Sequence, residues 1–345
     1  MPKRRPKTGY THVQLDLFAQ PVEPAPPSPM KAAVATPPPP AGPAPDPAAP
    51  PARRPHLVRT TPTELAEKIA STWYAHTASG SIAIPLGVTA ALALLGHEHV
   101  KDRRDTATHV LGLDPAGLIK CLREIWAYAW LHDPYLVHCA AELARWLDED
   151  PPSKVVTAVH AVARTAITSG LLSLTGDPDP AWRCEHDVLG ALLTQLRSRG
   201  ARNALAEFHT PPELANLIAR MTMLEIPEPG GAFDDPAAGT GGLMRALALT
   251  LRLQGADPHQ YVWSMADIDP IAAACCAVNA MVWSLGPNVL IYCGDTIATG
   301  DGAAQAAEQR RQILDNYERL MYGVAGIQAF IEADRLVDRL MSGVA

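Results

Sequence analysis

Several motifs that would mark common classes of site are missing from this 345-residue sequence. Its six cysteines form no C-x-x-C pair and show no metal-ligand spacing. A G-x-x-x-x-G-K-[ST] segment is also missing, which excludes a P-loop. Five of the cysteines stand in apolar helical or strand context, so we expect small buried hydrophobes in a reducing cytoplasm. The sequence therefore predicts neither a metal centre nor a disulfide framework.

The sequence also has no excess of positive charge and no long apolar run. Its formal net charge is -7, which argues against a chain that grips nucleic acid over its whole surface. The most apolar stretch, "SIAIPLGVTAALALLG", is short and interrupted by Pro and Gly, and no apolar segment follows the basic start. We expect a cytoplasmic protein without a membrane span or a signal peptide.

Proline is concentrated at the start of the chain. Residues 1–58 contain 17 of the 33 prolines, a composition that cannot bury enough apolar surface to offset the entropy of ordering. We predict a disordered tail over this range. It contains one apolar cluster, "QLDLF", whose residues are Gln14, Leu15, Asp16, Leu17 and Phe18.

The next 147 residues, 59–205, have the apolar period of packed helices. "LIKCLREIWAYAWL" and "LVHCAAELARWL" repeat apolar residues at intervals of three and four. Thr61 or Thr63 is expected to cap the first helix, with Glu64 in its first turn. Trp126, Trp130 and the other apolar residues of these stripes are expected in the core. We predict a helical domain here.

From 206 to 345 short β-like segments alternate with helices. The segments "GAFD", "YVWSMAD" and "VLIYCGD" predict three strands of a parallel sheet in a Rossmann-like α/β domain. They end at Asp235, Asp267 and Asp295. Ligands of open α/β sheets bind outside the carboxyl ends of the strands, so the three aspartates outline a candidate site.

The turn after the first strand reads "DPAAGTGG", from Asp235 to Gly242. Its glycines allow close backbone approach and positive φ, and the following helix N-terminus suits a carboxylate or phosphate. Asp267 is positioned to accept ribose hydroxyls, and Asp295 an adenine amino group. An adenosine compound is therefore the expected ligand, although the spacing does not match the dinucleotide pattern G-x-G-x-x-G.

Taken together, these segments resemble the adenine-N6 DNA methyltransferases, in particular the modification subunits of type I restriction systems. "DPAAGTGG" is similar to the family's S-adenosyl-L-methionine motif, "ADIDP" to its E-x-D-P segment, and "CGDT" to its G-D-T-L segment. The region before the first strand resembles the family's D-x-x-G … G-x-F-Y-T-P entry segment. The likeness runs from about Glu185 to Thr296.

The resemblance implies a set of cofactor-binding residues. They are Phe208, Thr210, Pro211, Asp235, Pro236, Gly239, Thr240, Gly241, Gly242, Asp267, Ile268, Asp295 and Thr296. Simpler interpretations remain for three features. The glycine turn occurs in other Rossmann-like folds, Thr210-Pro211 is also a helix-start pattern, and Asn279, at the family's asparagine, also fits a polar helix position.

The family's base-binding motif, [DNS]-P-P-[YFW], does not follow "CGDT". Its polar side chain accepts hydrogen bonds from the target amine and its aromatic ring stacks on the flipped base. The nearest imitations, "DNYE" at 315–318 and "HDPY" at 132–135, fit a helix face and a turn between helices. No catalytic residue is assigned.

Only 110 residues follow Asp235, and we expect the two C-terminal helical segments to cover the sheet edge that further strands would occupy.

The tail peptide Gln14–Phe18 resembles the segment by which bacterial replication and repair proteins bind the DNA sliding clamp. Three apolar side chains would fill pockets and Gln14 would make polar contacts. An incidental apolar cluster is the alternative.

The sequence thus predicts a nucleoid-associated DNA adenine-N6 methyltransferase that uses S-adenosyl-L-methionine. Its base-binding motif is missing or comes from a partner subunit, and a specificity subunit would have to select the DNA sequence. The alternatives are a catalytically silent binding module held on the sliding clamp, and a relic that no longer binds the cofactor.

Overall fold

The computed structural model describes residues 60–77, 80–95, 103–197 and 210–342, with the backbone alone at 103–104 and 326–342. The predicted tail at 1–58, its QLDLF peptide, Phe208 and the 205/206 domain boundary lie outside these ranges. No helix within the described ranges is both long and apolar enough to cross a membrane.

The first part of the described chain is helical, as the apolar period indicates. Its helices are α1 (Pro62–His76), α2 (Ala83–Leu94), α3 (Arg103–Gly112), α4 (Pro115–His132), α5 (Pro134–Cys139), α6 (Ala141–Ala144), α7 (Ser153–Thr168), α8 (Leu171–Thr175), α9 (Pro180–Arg183) and α10 (Val188–Leu196), with a 3-10 turn at Arg145–Leu147. Helix α1 begins with a capping box: the Glu64 amide donates to Thr61 Oγ1 (3.2 Å), and the Thr61 amide to Glu64 Oε2 (2.9 Å). The cap prediction for Thr61 is confirmed.

The second part alternates strands and helices. Its elements are α11 (Pro212–Thr222), β1 (Ala232–Asp235), α12 (Gly242–Leu253), β2 (Val262–Asp267), α13 (Pro270–Val282), β3 (Val289–Cys293), α14 (Thr296–Thr299) and α15 (Gly302–Ser342), with a 3-10 turn at Pro258–Gln260. The strands form a parallel sheet of order β1-β2-β3, in which Asp235 is level with Met265 and Asp267 with Cys293. The predicted strands and their parallel pairing are confirmed.

One contiguous apolar core joins the helical part to the sheet. It extends from α1 through α4 and α10 to both helices that cross over between the strands, and it includes Trp73, Leu122, Leu192, Trp263 and Trp283. Trp126 is buried in it as expected, whereas Trp130 is only half-buried. Of the cysteines, Cys184, Cys275 and Cys276 are buried, Cys121 and Cys139 are half-buried, and Cys293 is exposed. The sheet is therefore supported by the helical part.

The C-terminal segment forms one continuous helix, α15, where two were expected. Its contacts with the sheet are to β3 and β2, and it also packs against α5. The Tyr317 hydroxyl donates to the Leu131 carbonyl (2.8 Å) and Arg310 to the Pro287 carbonyl (2.8 Å), which hold the helix at the β3 side. The unbroken helical period of this segment explains why no turn divides it.

Candidate functional site at the carboxyl edge of the sheet

The three aspartates lie at one edge of the sheet. Asp235 and Asp267 are the last residues of β1 and β2, and Asp295 follows β3 by two residues. Because the strands are parallel and adjacent, their carboxyl ends meet at this edge. The structure therefore brings together residues that are 32 and 28 positions apart in the sequence.

The glycine turn is fixed against β2. The Ala238 amide donates to the Ala266 carbonyl (2.8 Å), and the Gly239 amide donates to Asp267 Oδ2 (2.8 Å). Gly239 has φ +57° and a methyl group added there would meet open space. Gly241 has φ +89° and faces the buried Cys276 and Trp283. The two glycines therefore have different roles. Gly239 leaves open space beside the turn, and Gly241 lets the turn pack closely against the core.

Both oxygens of Asp267 are oriented by the backbone. Oδ2 accepts from Gly239 and Oδ1 accepts from the Asp269 amide (2.9 Å). Each carboxylate oxygen has two lone pairs, so both retain capacity to accept a further hydrogen bond from a ligand. Asp269 itself caps α13 through the amides of Ile271 and Ala272 and forms a part-buried ion pair with Arg197. Asp267 is consequently held in one orientation before any ligand arrives.

Asp295 and Thr296 close the β3 end of the edge. Asp295 caps α14, accepting from the amides of Ile297 and Ala298 at 3.0 Å each, both through Oδ1. The Thr296 hydroxyl donates to the Pro236 carbonyl (3.2 Å), which joins the third strand end to the turn after the first. Two large exposed apolar side chains follow site residues in the sequence: Ile268, after Asp267, is 64% exposed, and Ile297, after Thr296, is 96% exposed.

Thr240 does not point its side chain into this edge. It is 4% exposed, its hydroxyl donates to Asp187 Oδ2 (3.0 Å), and its carbonyl accepts from Asn279 Nδ2 (2.9 Å). Asn279 also donates to Asp187 Oδ1 (3.1 Å), and so does the Gly190 amide (2.8 Å). These four residues form a cluster, the Asp187 clasp, that ties the glycine turn to α10 and α13.

The clasp gives a physical reason for the D-x-x-G pattern at 187–190. A side chain at Gly190 would lie 2.2 Å from Asp187 Oδ2 and 2.6 Å from Thr240 Oγ1. Only glycine lets the carboxylate cap α10 and reach Thr240 at the same time. The sequence indicated the pattern but not this role, because the partners are 53 and 92 residues distant.

The remaining predicted residues are less closely connected to the edge. Thr210 is exposed, and Pro211 is the N-cap residue of α11 without a side-chain capping bond. Phe208 lies outside the described residues. Pro236 is exposed at the start of the glycine turn.

The imitations of the base-binding motif have structural roles. Asp315–Glu318 lies within α15. In the other segment, Asp133 caps α5, and the buried Tyr135 hydroxyl accepts from the Ile291 amide (2.9 Å). A third near match, "DPPS" at 150–153, carries serine at the aromatic position. Its aspartate, Asp150, lies three residues before α7 and pairs with Arg123 of α4 (3.0 Å).

Asp235 carries an electrostatic cost. Burial raises the pKa of its carboxyl above the usual value, and the negative charges of Asp234 and Asp267 raise it further, against a hydrogen bond from the Ala237 amide. The pKa of Asp235 is higher in the folded chain than in the unfolded chain. Ionised Asp235 therefore lowers the free energy of unfolding by its full amount at every pH above the folded pKa, and this destabilisation disappears below the unfolded pKa. A carboxylate in this position favours a cationic ligand group.

We therefore expect Asp235→Asn to stabilise the protein at neutral pH while keeping the acceptor for Ala237. The melting temperature should rise at pH 7.5 and rise less at pH 4, measured by thermal unfolding at both values. Asp315→Asn, an exposed carboxylate on α15, serves as the control and should change little. If Asp235→Asn melted at a lower temperature than wild type at pH 7.5, ionised Asp235 would not be destabilising.

One comparison with known proteins matches the part of the chain that contains this site. Residues 185–314 match the family model described as N-6 DNA Methylase. No curated protein matches the chain. The matched span starts two residues before Asp187 and includes all three strands, the glycine turn and the Asp187 clasp. The match supports an adenine-N6 DNA methyltransferase assignment for this part of the chain, which is 130 of its 345 residues.

Proposed function

We propose that the carboxyl edge of the sheet binds S-adenosyl-L-methionine, and that the chain forms the cofactor half of an enzyme that methylates adenine N6 in DNA. The observation that carries this proposal is the contact between Gly239 and Asp267, which fixes an acceptor carboxylate beside a glycine turn with open space above it. When bound, the cofactor supplies an electrophilic methyl group on a sulfonium centre.

Each residue of the site would contact a different part of the cofactor. Asp267 accepts hydrogen bonds from the ribose hydroxyls with the lone pairs that the backbone leaves available. Asp295 accepts from the adenine amino group through Oδ2, since its capping bonds use Oδ1. Ile268 and Ile297 give the adenine ring apolar surface on either side. Ionised Asp235 stabilises the ammonium group of the methionine part.

The base half of the site needs groups that this sequence does not contain. The adenine amine is a weak nucleophile, and acceptors for its protons together with an aromatic ring hold it in place outside the duplex. No [DNS]-P-P-[YFW] segment occurs in residues 1–345. We propose that another chain supplies this segment and that a specificity subunit selects the DNA sequence. Such a complex would act on DNA of the nucleoid, in the cytoplasm.

Calorimetric titration of S-adenosyl-L-methionine into the purified chain tests the cofactor site. We expect micromolar binding that Asp267→Asn weakens by about 2 kcal/mol, or roughly thirtyfold, because one charged acceptor of the ribose is lost. The asparagine oxygen still accepts from Gly239, but the Asp269 amide loses its acceptor, so thermal unfolding of the variant is measured beside the titration. Asp315→Asn is the charge-matched control. Absence of binding at millimolar cofactor would overturn the proposal.

A second candidate function is a catalytically silent module held on the DNA sliding clamp. The QLDLF peptide and the missing base-binding motif favour it. If it is correct, the double substitution Leu17→Ala with Phe18→Ala abolishes binding to purified clamp, measured by surface plasmon resonance. Calorimetry should show unchanged cofactor binding. Equal clamp binding by the wild-type and doubly substituted chains would exclude this use of the peptide.

A further inference from the structure

Helix α11 exposes its larger apolar side chains and buries its smaller ones. Leu214, Leu217, Ile218 and Met221 follow the i, i+3, i+4, i+7 spacing of one helix face, and all four are exposed, Met221 by 66%. The opposite face packs on α12 through Ala215 and Ala219, which are buried. An amphipathic helix normally places its bulky face inward, so this face has the composition of a covered surface.

The apolar surface continues from α11 toward β1. Leu224 is 84% exposed and Ile226 is 43% exposed in the segment that joins the two elements. This segment is held to the sheet, because the Gly230 amide donates to the Gln260 carbonyl (2.8 Å) and the Tyr261 hydroxyl to the Pro227 carbonyl (2.9 Å). We call the six side chains the α11 patch: Leu214, Leu217, Ile218, Met221, Leu224 and Ile226.

Strand β1 has an edge without a partner strand among the described residues. It pairs with β2 on one side, and half of its backbone N–H and C=O groups face the other side. Ala232 and Asp234 are exposed along it. In doubly wound sheets of order 3-2-1-4, a fourth strand pairs with the first. The helix α15, which we expected at the edge for further strands, instead packs at the β3 side.

Charge around the α11 patch selects the kind of occupant. Its exposed acidic neighbours are Glu213, Glu225, Glu228 and Asp234, whereas Arg220 is the single exposed basic residue between positions 212 and 235. Two copies docked through this surface would oppose acidic rims, and DNA phosphates would be repelled by it. The complementary surface is an apolar polypeptide with a rim of Lys and Arg.

We propose that β1 and the α11 patch together dock a separate polypeptide, which adds a strand to the edge of β1 and lays apolar side chains on α11 inside a basic rim. The inference rests on the proposed function, because the added strand would end beside Asp235, where the base half of the site is needed. Backbone pairing supplies part of the affinity and the apolar contacts supply the rest.

Site-specific photocrosslinking identifies the occupant. A benzophenone amino acid is placed at Leu217 in the full chain, in cells that produce it. The control position is Tyr322 on α15, which is more exposed (79%, against 53% at Leu217). We expect one polypeptide to crosslink from Leu217 and not from Tyr322. A crosslink to a second copy, to residues 1–59 of the same chain or to DNA, or no crosslink, would overturn the proposal.

The crosslinked protein is then purified and mixed with the wild-type chain. We expect a stoichiometric complex in which the amides of 232–235 become protected from hydrogen exchange. Leu217→Asp with Met221→Asp should weaken it at least about tenfold, whereas Leu320→Asp on α15 should not. A complex that leaves these amides unprotected contradicts the proposal. Cofactor titration of the doubly substituted chain should match wild type, so failure of docking and failure of the cofactor site are separable.

Discussion

Replacing Asp187 with alanine should lower the free energy of unfolding by about 3–5 kcal/mol. The carboxylate accepts three hydrogen bonds, from the Gly190 amide, the Thr240 hydroxyl and the Asn279 amide. Loss of the cap alone costs about 1 kcal/mol, and the two remaining donors are left without this acceptor in a buried setting. The larger part of the loss therefore comes from the clasp, measured by urea unfolding.

Asp114 provides a matched control for the capping part of that loss. It caps α4 through a glycine amide three residues on, as Asp187 caps α10, but its contact with Gly117 (2.6 Å) lies at an exposed helix end. We expect Asp114→Ala to cost about 1 kcal/mol. Similar losses in the two variants would mean that the bonds to Thr240 and Asn279 add nothing, and would contradict the clasp.

The strands and most helices could be predicted because their signals are local. Strands β1 and β2 end at an aspartate and β3 ends two residues before one, and α1 carries both halves of its capping box within four residues. The three strand ends then follow from the parallel arrangement alone. Local pattern was sufficient to place Asp235 and Asp267 at one edge, because a parallel sheet leaves few alternatives.

Contacts over long sequence distances could not be predicted. Arg183 donates to the Val282 carbonyl (2.6 Å), and Arg252 to the carbonyls of Trp283 (2.8 Å) and Ser284 (2.7 Å), so two guanidinium groups cover the end of α13. A third arginine, Arg245, is buried, and the sequence gives only a weak signal of this: an arginine within the apolar stretch "GLMRALALTL" is unusual. Its acceptors, 29 and 61 residues away, have no local signal.

For the glycine turn, too, the sequence could not predict which way individual side chains point. The motif led us to group Thr240 with the cofactor-binding residues, but its hydroxyl lies in the Asp187 clasp. A motif records which residues a turn needs and does not separate those that face a ligand from those that hold the turn. For Gly239 and Gly241 the difference lies in what surrounds each Cα, and substitution by alanine makes it measurable.

Gly241→Ala should destabilise the protein by about 2–4 kcal/mol, the sum of left-handed backbone strain and overpacking. Its methyl group would lie 3.1 Å from Cys276 Sγ and 3.2 Å from a ring carbon of Trp283, both buried, at φ +89°. Neither neighbour has room to retreat, because both belong to the contiguous core. Thermal and urea unfolding measure the loss.

Gly239→Ala should have the opposite profile. At φ +57° and with open space around the added methyl group, the loss of stability should be about 1 kcal/mol. That space is where the proposed cofactor approaches the backbone, so its affinity in calorimetry should fall at least about tenfold. Unchanged cofactor affinity in Gly239→Ala would place the ligand elsewhere. Equal destabilisation by the two substitutions would contradict the separate roles, because a methyl group added in open space should reduce stability less than one forced into a packed core.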